Sequence, residues 1–394
     1  MSLSNPLPYN RNIFQKLILI ALFLTACHSN YEIEQTLAKE FLQIDDQTIK
    51  PGTNPEYLSG RMKVYGVPGV SIALIEDFQI KWVRGFGFMD KSFQQAVTDS
   101  TLFQAGSVSK PVAAFGALKL VEMGMLDLDA NANNFLTSWQ IPDNQFTQDK
   151  KVSLRLLLCH GAGITVHGFQ GYNTFEDVPT LINILNGEAS ANSYPIRVDN
   201  LPGENFRYSG GGYCIIQQMM IDVSGKSFPE IMDNLVLKPL NMQNSTYLQP
   251  LPSSRIQQAA TGYLPTGMMT KGKRHIYPEM AAAGLWTTAK DLALFVVEIQ
   301  NALQQKTNIV LTQKSVNQML TQQVAPYVGL GIFLQPKKEE IYFEHSGWDE
   351  GFCSLIIGHP TNGYGAAILI NANQPDLIDE LITGLGKAYQ WEGF

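Results

Sequence analysis

Short, mostly apolar runs bounded by polar residues and glycines occur near both ends of the chain, as expected of β-strands. Residues 70–75 and 80–86 are two such runs, and the polar segment 76–79 between them predicts a hairpin turn. A third short strand is predicted at residues 101–105. The strand pattern returns near the other end of the chain, at residues 328–334, 340–344, 352–357 and 366–370.

The middle of the chain, from residue 110 to about 299, has the apolar spacing of helices separated by long loops. Thr288 and Asp291 resemble a capping box that opens one of these helices. Helices are predicted at residues 31–50, 110–124, 213–223, 288–295 and 377–391.

Strands at both ends with helices between them predict an α+β fold. We expect one antiparallel β-sheet formed from both chain ends and flanked by helices. A mostly helical lobe, at about residues 115–300, would be inserted between the two halves of the sheet. The cleft between two such lobes is a common place for a ligand site.

The composition describes a globular protein with a substantial core. Hydrophobic residues make up 45% of the 394 positions, and charged residues make up only 16%. The 28 Lys and Arg residues against 35 Asp and Glu residues give a net charge of −7. An acidic chain without a basic run argues against nucleic acid as a partner.

The first 26 residues predict a secretory signal. Arg11 and Lys16 precede the apolar run 17–24, which is too short to span a bilayer comfortably. Residues 24–27 then resemble the end of a bacterial lipoprotein signal, in which the cysteine becomes the lipidated first residue. Cys27 is therefore the predicted lipid anchor, and the alternative is a plain signal peptide with an incidental cysteine.

Two expectations follow from this segment. The chain would be exported across the bacterial inner membrane and held at a membrane through Cys27. Because His28 and Ser29 follow the cysteine and no aspartate does, the outer membrane, facing the periplasm, is the expected location. The predicted organisation is a signal at 1–26, an anchor and leading helix at 27–54, and one domain at 55–392.

The remaining cysteines, Cys159, Cys214 and Cys353, are odd in number and widely spaced. They do not form a disulfide framework, and their apolar neighbours predict buried thiols.

Ser107 and Lys110 lie three residues apart where a strand-like run meets a helix start, so one helical face carries both. Pro111 suits the first helical turn. A serine hydroxyl becomes a nucleophile when a neighbouring base takes its proton, and a desolvated lysine can be that base. The alternative is that Ser107 only caps the helix and Lys110 is solvated.

Two further segments place polar side chains beside glycines, which let the backbone approach a ligand closely. One is residues 202–213, which includes Tyr208 and Gly210. The other is residues 344–348, which includes His345.

In this order and spacing, the segments resemble the serine β-lactamase and penicillin-binding-protein superfamily. The resemblance is closest to the branch of class C β-lactamases, D-amino-acid carboxypeptidases and related esterases, and it covers roughly residues 55–390. Residues 107–110 match the family's Ser-x-x-Lys, residues 208–210 lie at its Tyr-x-Asn, and residues 345–347 match its Lys/His-x-Gly.

The resemblance implies that Ser107 attacks a carbonyl and forms an acyl-enzyme. Lys110 and Tyr208 would share the general-base role, and which of them takes the first proton stays open. Tyr208 would then protonate the leaving group, and His345 would hold a substrate carboxylate or tune the tyrosine. The implied substrate-binding positions are Gly210, Ser346, Gly347 and Trp348, with the backbone N–H groups of Ser107 and Trp348 forming an oxyanion hole.

This sequence departs from the family at Gly210, where the family has an asparagine, and His345 replaces the usual lysine. Both changes favour an ester or an unusual amide over a β-lactam or a D-Ala-D-Ala peptide. The rival hypothesis is a catalytically inactive envelope protein that binds peptidoglycan fragments or a partner.

Other motifs carry no function. Residues 225–227 look like the end of a P-loop, but the required upstream glycine is missing, so Gly225 is interpreted as a helix-ending residue. His160 and His167 lack zinc spacing, and His160 is interpreted as a structural loop residue. No metal and no cofactor is expected, and the partner would be a small-molecule, peptide or ester substrate.

Overall fold

The computed structural model describes residues 58–175, 177–306 and 308–394. The predicted signal, Cys27 and the predicted helix at 31–50 lie outside these residues. Among the described residues, no helix combines the length and the apolar character needed to cross a bilayer.

The strands are named in chain order: β1 (Gly69–Glu76), β2 (Gln79–Asp90), β3 (Gln95–Ala96), β4 (Phe103–Gln104), β5 (Tyr172–Asn173), β6 (His275–Ile276), β7 (Trp286–Thr287), β8 (Phe333–Lys337), β9 (Glu340–Asp349), β10 (Phe352–Gly358) and β11 (Gly365–Ile370). The helices are α1 (Leu58–Tyr65), α2 (Ser109–Glu122), α3 (Leu154–Leu158), α4 (Leu181–Asn186), α5 (Gly210–Ser224), α6 (Phe228–Met232), α7 (Met280–Ala283), α8 (Ala289–Leu303), α9 (Gln313–Met319) and α10 (Pro375–Ala388).

One antiparallel sheet combines both ends of the described chain, in the order β3-β2-β1-β11-β10-β9-β8. The predicted sheet is therefore confirmed. The first and last long strands meet at its centre, where β1 pairs with β11 in the register Val70↔Ile370. The turn predicted at 76–79 is also present, because Asp77 and Phe78 both have positive φ and connect β1 to β2 directly.

Each face of the sheet is covered by a different layer, because side chains alternate along a strand. Val70 and Ile72 of β1 pack in the cluster that includes residues of α1 and α10. Ala73 and Ile75 point the other way, into the larger core shared with α8 and the helical lobe. The fold is thus a sheet between two helical layers, with the lobe extending from one of them.

Several elements differ from the prediction in their bounds or their pairing. Among them, β9 continues to Asp349 and α8 continues to Leu303. The apolar run at 328–332 is a buried loop that packs on the lobe, with Leu330 N–H donating to the carbonyl of Met319. Gly331, at φ +80°, helps the loop turn away from strand geometry, so β8 begins only at Phe333. β4 pairs with β7 outside the main sheet, and α10 ends at Ala388.

Other local predictions are confirmed. Gly225, with φ +66°, ends α5, as expected for a helix-terminating glycine. The predicted capping box is confirmed in its Thr288 half: Thr288 caps α8 by accepting a hydrogen bond from the Asp291 N–H, whereas the Asp291 carboxyl accepts from the Asn244 N–H and Ser245 Oγ. Cys159, Cys214 and Cys353 are buried free thiols.

Candidate active site

Ser107 lies in a single 3₁₀ turn, Gly106–Val108, between β4 and α2. It does not cap α2, because Val108 holds the capping position and makes no side-chain cap bond. Gly106 has φ +51°, and a Cβ atom there would lie 2.6 Å from the backbone nitrogen of Trp348. The turn therefore presents the Ser107 side chain beside the end of β9.

Lys110 occupies the first turn of α2 and is almost fully buried, with 2% of its surface exposed. Its Nζ donates to Ser107 Oγ at 2.9 Å and to the carbonyl oxygen of Ala282 in α7 at 2.7 Å. The alternative of a solvated lysine therefore does not hold. Two fixed acceptors position the amine next to the hydroxyl.

Aromatic rings surround this amine. Lys110 Nζ lies 5.1 Å from the centroid of the Tyr208 ring and 5.7 Å from that of Tyr213. The His160 ring packs against Tyr208 with a centroid separation of 4.3 Å. His160 Nδ1 accepts a hydrogen bond from the Ser209 N–H at 3.1 Å.

His160 therefore does more than stabilise its own loop. Its ring packs against Tyr208, and its Nδ1 holds the backbone of the next residue, Ser209, so both contacts position Tyr208. Burial, with Lys110 as the next cause, holds the pKa of His160 well below its usual value. The imidazole is therefore neutral at physiological pH, which allows Nδ1 to accept.

His345 on β9 is also buried and neutral. Burial, followed by the nearby Lys110 charge, lowers its pKa to about 3. Its Nδ1 lies 2.7 Å from the carbonyl oxygen of Ser346, so Nδ1 carries the proton and Nε2 is an acceptor. Nε2 is buried and has no hydrogen-bond partner among the described residues.

Close backbone packing fixes β9 against the serine turn. Ser354 Oγ donates to the carbonyl oxygen of Ala105 at 2.7 Å. Gly347 lies against the same carbonyl, which leaves no room for a side chain. The backbones of Ser107 and Trp348 are held side by side as a result.

Gly210 lies outside the cleft lining, in contrast to the other predicted substrate-binding positions. Its N–H donates to the carbonyl oxygen of His167 at 2.9 Å. A Cβ atom at Gly210 would lie 3.0 Å from the Phe169 ring and 3.1 Å from the His167 oxygen. The loop at 165–169 therefore fills the space that an asparagine side chain would need.

Ser107, Tyr208, His345, Ser346, Gly347 and Trp348 all line one cleft of about 480 Å³. Sequence reasoning missed several other lining residues. They are His167, Phe206, Phe333, Cys353, Ser354, Leu355, Pro375, Ile378 and Asp379. Phe206 lies in the segment 202–213 but was not singled out within it, and His167 was considered only as a zinc ligand. No motif marked the others, because they reach the cleft from separate strands and from the last helix. Within the described part of the chain, no group of three or more His, Cys, Asp or Glu side chains is placed to hold a metal ion.

A buried acid lies next to the segment that holds Lys110. Glu279 directly precedes α7, is fully buried, and has no hydrogen-bond partner for either carboxyl oxygen among the described residues. Burial raises its pKa to about 8. The carboxyl is therefore mostly neutral at pH 7.

The sheet, the inserted helical lobe and the serine–lysine pair together define the class of serine-hydrolase-like folds found in β-lactamases and penicillin-binding proteins. The family model described as Beta-lactamase matches residues 55–385, and the chain belongs to this family. The resemblance seen in the sequence is thereby confirmed.

Individual relatives are distant. The chain is 22% identical over 324 residues to Protein flp of Staphylococcus aureus (strain N315), covering 80% of this chain and 63% of that protein. It therefore spans less than two thirds of that relative's length.

Two solved structures show the same fold. The octameric penicillin-binding protein homologue from Pyrococcus abyssi has a TM-score of 0.71 at 22% identity, covering 85% of this chain and 76% of its own. The D-alanine carboxypeptidase AmpC from Burkholderia cenocepacia has a TM-score of 0.65 at 20% identity, covering 84% and 96%. At these identities the likeness shows the fold alone.

Because Gly106 lies so close to Trp348, we expect alanine at this position to cost more stability than alanine at Gly124. Gly106→Ala adds a clash with backbone to the strain of positive φ, whereas Gly124→Ala, at φ +71°, has no atom within 4 Å of the new Cβ. We expect Gly124→Ala to cost about 1–2 kcal/mol and Gly106→Ala about 1–3 kcal/mol more. Denaturant unfolding measures both, and equal costs would contradict the described packing.

Glu279 predicts a pH-dependent stability. In the folded protein the Glu279 carboxyl has a pKa of about 8, above its ordinary value of 4.5. The contribution of the protonated carboxyl to the free energy of unfolding is therefore complete below pH 4.5 and is lost as the pH rises through 8. Glu279→Gln should remove this loss, making the variant more stable than the wild type at pH 9 by a few kcal/mol, as a shift of about three pKa units implies.

The comparison uses unfolding free energies from pH 5 to pH 9. Glu339→Gln, which changes an exposed carboxyl, serves as the control and should follow the wild type throughout. If Glu279→Gln also runs parallel to the wild type, the buried carboxyl does not titrate as described.

Proposed function

We propose that this protein is a serine hydrolase that forms an acyl-enzyme on Ser107, with an ester or an unusual amide as substrate. The observation that carries the proposal is the buried Lys110 amine, held 2.9 Å from the Ser107 hydroxyl at the wall of an open cleft. A structural lysine gains nothing from this position, since its charge loses most of its hydration.

In the proposed first step, Ser107 Oγ attacks the substrate carbonyl and a C–O bond forms. The hydroxyl proton passes to Lys110 or to Tyr208, which lines the same cleft. A deprotonated Lys110 can accept that proton without moving, because Ala282 already fixes the direction of its Nζ. This arrangement favours the lysine as the first base.

The oxyanion that forms needs donors placed in advance. The backbone N–H groups of Ser107 and Trp348 are the proposed donors, supported by the packing of Gly106 and Gly347 against their neighbours. Such donors typically contribute about 3–4 kcal/mol of transition-state stabilisation.

In the proposed second step, Tyr208 donates its phenol proton to the leaving group as the bond to it breaks, and the proton that Lys110 took from Ser107 restores the Tyr208 phenol, so both groups end in their starting protonation states. Water then hydrolyses the acyl-enzyme and regenerates the Ser107 hydroxyl. His160 acts here as a positioning residue, because its neutral ring packs on Tyr208. It touches neither Ser107 nor the proposed oxyanion donors.

An ester is favoured over a β-lactam by two features of the site. The space of the family's asparagine is filled by Phe169 and His167 around Gly210. His345, at the position of the family's lysine, is neutral and offers no fixed positive charge to a β-lactam carboxylate.

We also propose export and lipid anchoring through Cys27, facing the periplasm. The basis is the sequence of residues 17–27 alone. Incorporation of a labelled fatty acid that persists in Cys27→Ala would argue against this anchor.

The acyl-enzyme proposal predicts covalent labelling by a fluorophosphonate. We expect the wild type to label and Ser107→Ala to lose labelling completely, since no other nucleophile replaces the hydroxyl. Lys110→Ala should lose acylation with the fold retained. Lys119→Ala, which removes a more exposed lysine of the same helix, is the matched control and should label normally.

In-gel fluorescence measures labelling, and circular dichroism confirms that each variant is folded. A folded wild type that does not label would support the inactive binding protein instead.

In the same preparations, turnover of p-nitrophenyl esters should exceed turnover of nitrocefin by at least about tenfold. The reverse order would show that the filled asparagine space does not exclude β-lactams.

A further inference from the structure

The charge of the cleft points to a substrate class. Among the residues that the structure describes in its lining, none is Lys or Arg, and Asp379 of α10 contributes a carboxyl group. Lys110 is adjacent, but its Nζ already donates to Ser107 and Ala282. The accessible lining is therefore short of positive charge.

The surroundings of Asp379 add to this imbalance. Its charged neighbours are Asp376, Glu344 and the ammonium of Lys337. Burial first, and Asp376 second, raise the pKa of the Asp379 carboxyl, while Lys337 lowers it. Asp379 is the carboxyl of this group that lines the cleft, and no lining cation offsets it, so the end of the cleft near α10 can attract a positive ligand.

A second and independent observation concerns hydrogen bonding. His345 lines the cleft with 2% of its surface exposed, and its Nε2 is an unpartnered acceptor. A substrate carboxylate has only acceptors to offer and cannot satisfy this atom. His345 therefore offers no donor to a bound carboxylate, which leaves the preferred charge of the substrate to Asp379 and Trp348.

The third observation is the aromatic wall. Phe206, Tyr208, Phe333 and Trp348 line the cleft, and the Tyr208 and Phe333 rings are nearly parallel, with centroids 6.3 Å apart. The Trp348 side chain is 55% exposed. An exposed aromatic ring and a carboxyl group that line the same cleft suit an ammonium, which is attracted to both.

We propose that the substrate is a cationic, amine-bearing ester or amide, and that Asp379 and Trp348 recognise its ammonium. This inference rests on the proposed function, since it concerns the acyl or leaving group that lies beside Ser107. Asp379 is a recognition residue here and takes no part in the bond-making steps.

The test compares substrates that differ only in charge. The acyl series consists of the p-nitrophenyl ester of γ-trimethylammoniobutyric acid, its isostere with a quaternary carbon in place of nitrogen, and the p-nitrophenyl ester of glutaric acid. The alcohol series consists of choline butyrate and its carbon isostere. The full-length chain is assayed for kcat/KM on each.

We expect the cationic ester to exceed its neutral isostere by about tenfold in at least one series, and the glutaric ester to be the poorest in the acyl series. Asp379→Asn should bring the cationic-to-neutral ratio close to one, and Asp379→Lys should favour the glutaric ester. Glu339→Gln removes an exposed carboxyl outside the cleft lining, so it should keep the ratio. Added salt should reduce the preference of the wild type.

The outcomes separate the two proposals. If the wild type hydrolyses none of these esters and is not labelled by the fluorophosphonate, the hydrolase proposal itself fails. If it is labelled but hydrolyses none of them, the ammonium proposal fails and the hydrolase proposal stands. If it hydrolyses cationic and neutral esters equally in both series, or if Asp379→Asn keeps the full preference, then recognition of an ammonium by Asp379 is wrong while the hydrolase proposal stands.

Discussion

The structure of the site depends on the placement of one buried amine. Lys110 cannot be hydrated where it lies, so its Nζ needs fixed acceptors, and Ser107 and Ala282 supply them. Each acceptor belongs to a different part of the fold. Ser107 precedes the helix that carries Lys110, and Ala282 lies in the short helix α7. Satisfying the amine therefore ties the start of α2 to the helical lobe.

The sheet completes this arrangement from the other side. β9 approaches so closely that Gly106 and Gly347 have no room for side chains. The close backbone packing requires glycine at both positions. It also brings the backbone N–H groups of Ser107 and Trp348 next to each other. Buried and neutral imidazoles at His160 and His345 then surround the amine without adding charge. Charge in the open cleft comes instead from α10, through Asp379.

The sequence predicted the sheet and the serine–lysine pair because each depends on local spacing. The short apolar runs at 70–75 and 366–370 indicate buried strands, and Ser107 and Lys110 share a helical face at a separation of three residues. The strand predicted at 328–334 was largely wrong, because the apolar residues Val328 and Leu330 are buried in a loop and not in a strand. The periodicity of apolar residues along the sequence does not by itself distinguish a buried loop from a buried strand.

The remaining features of the site depend on contacts between distant segments. Neither the packing of His160 on Tyr208 nor the filling of the space beside Gly210 by Phe169 follows from the residues nearby in sequence. Asp379 lies 272 positions after Ser107, and only the packing of α10 against β10 and β11 brings both to one cleft. Spacing within a motif carries no information on such contacts.

A crystal structure of the chain after reaction with a fluorophosphonate tests the central claim most directly. The account predicts a phosphorus atom bonded to Ser107 Oγ. One phosphonyl oxygen should lie within hydrogen-bond distance of the backbone nitrogens of both Ser107 and Trp348, with Lys110 Nζ still bonded to the carbonyl oxygen of Ala282. A phosphonyl group attached to another residue, or a Lys110 side chain turned away from Ser107, would contradict it.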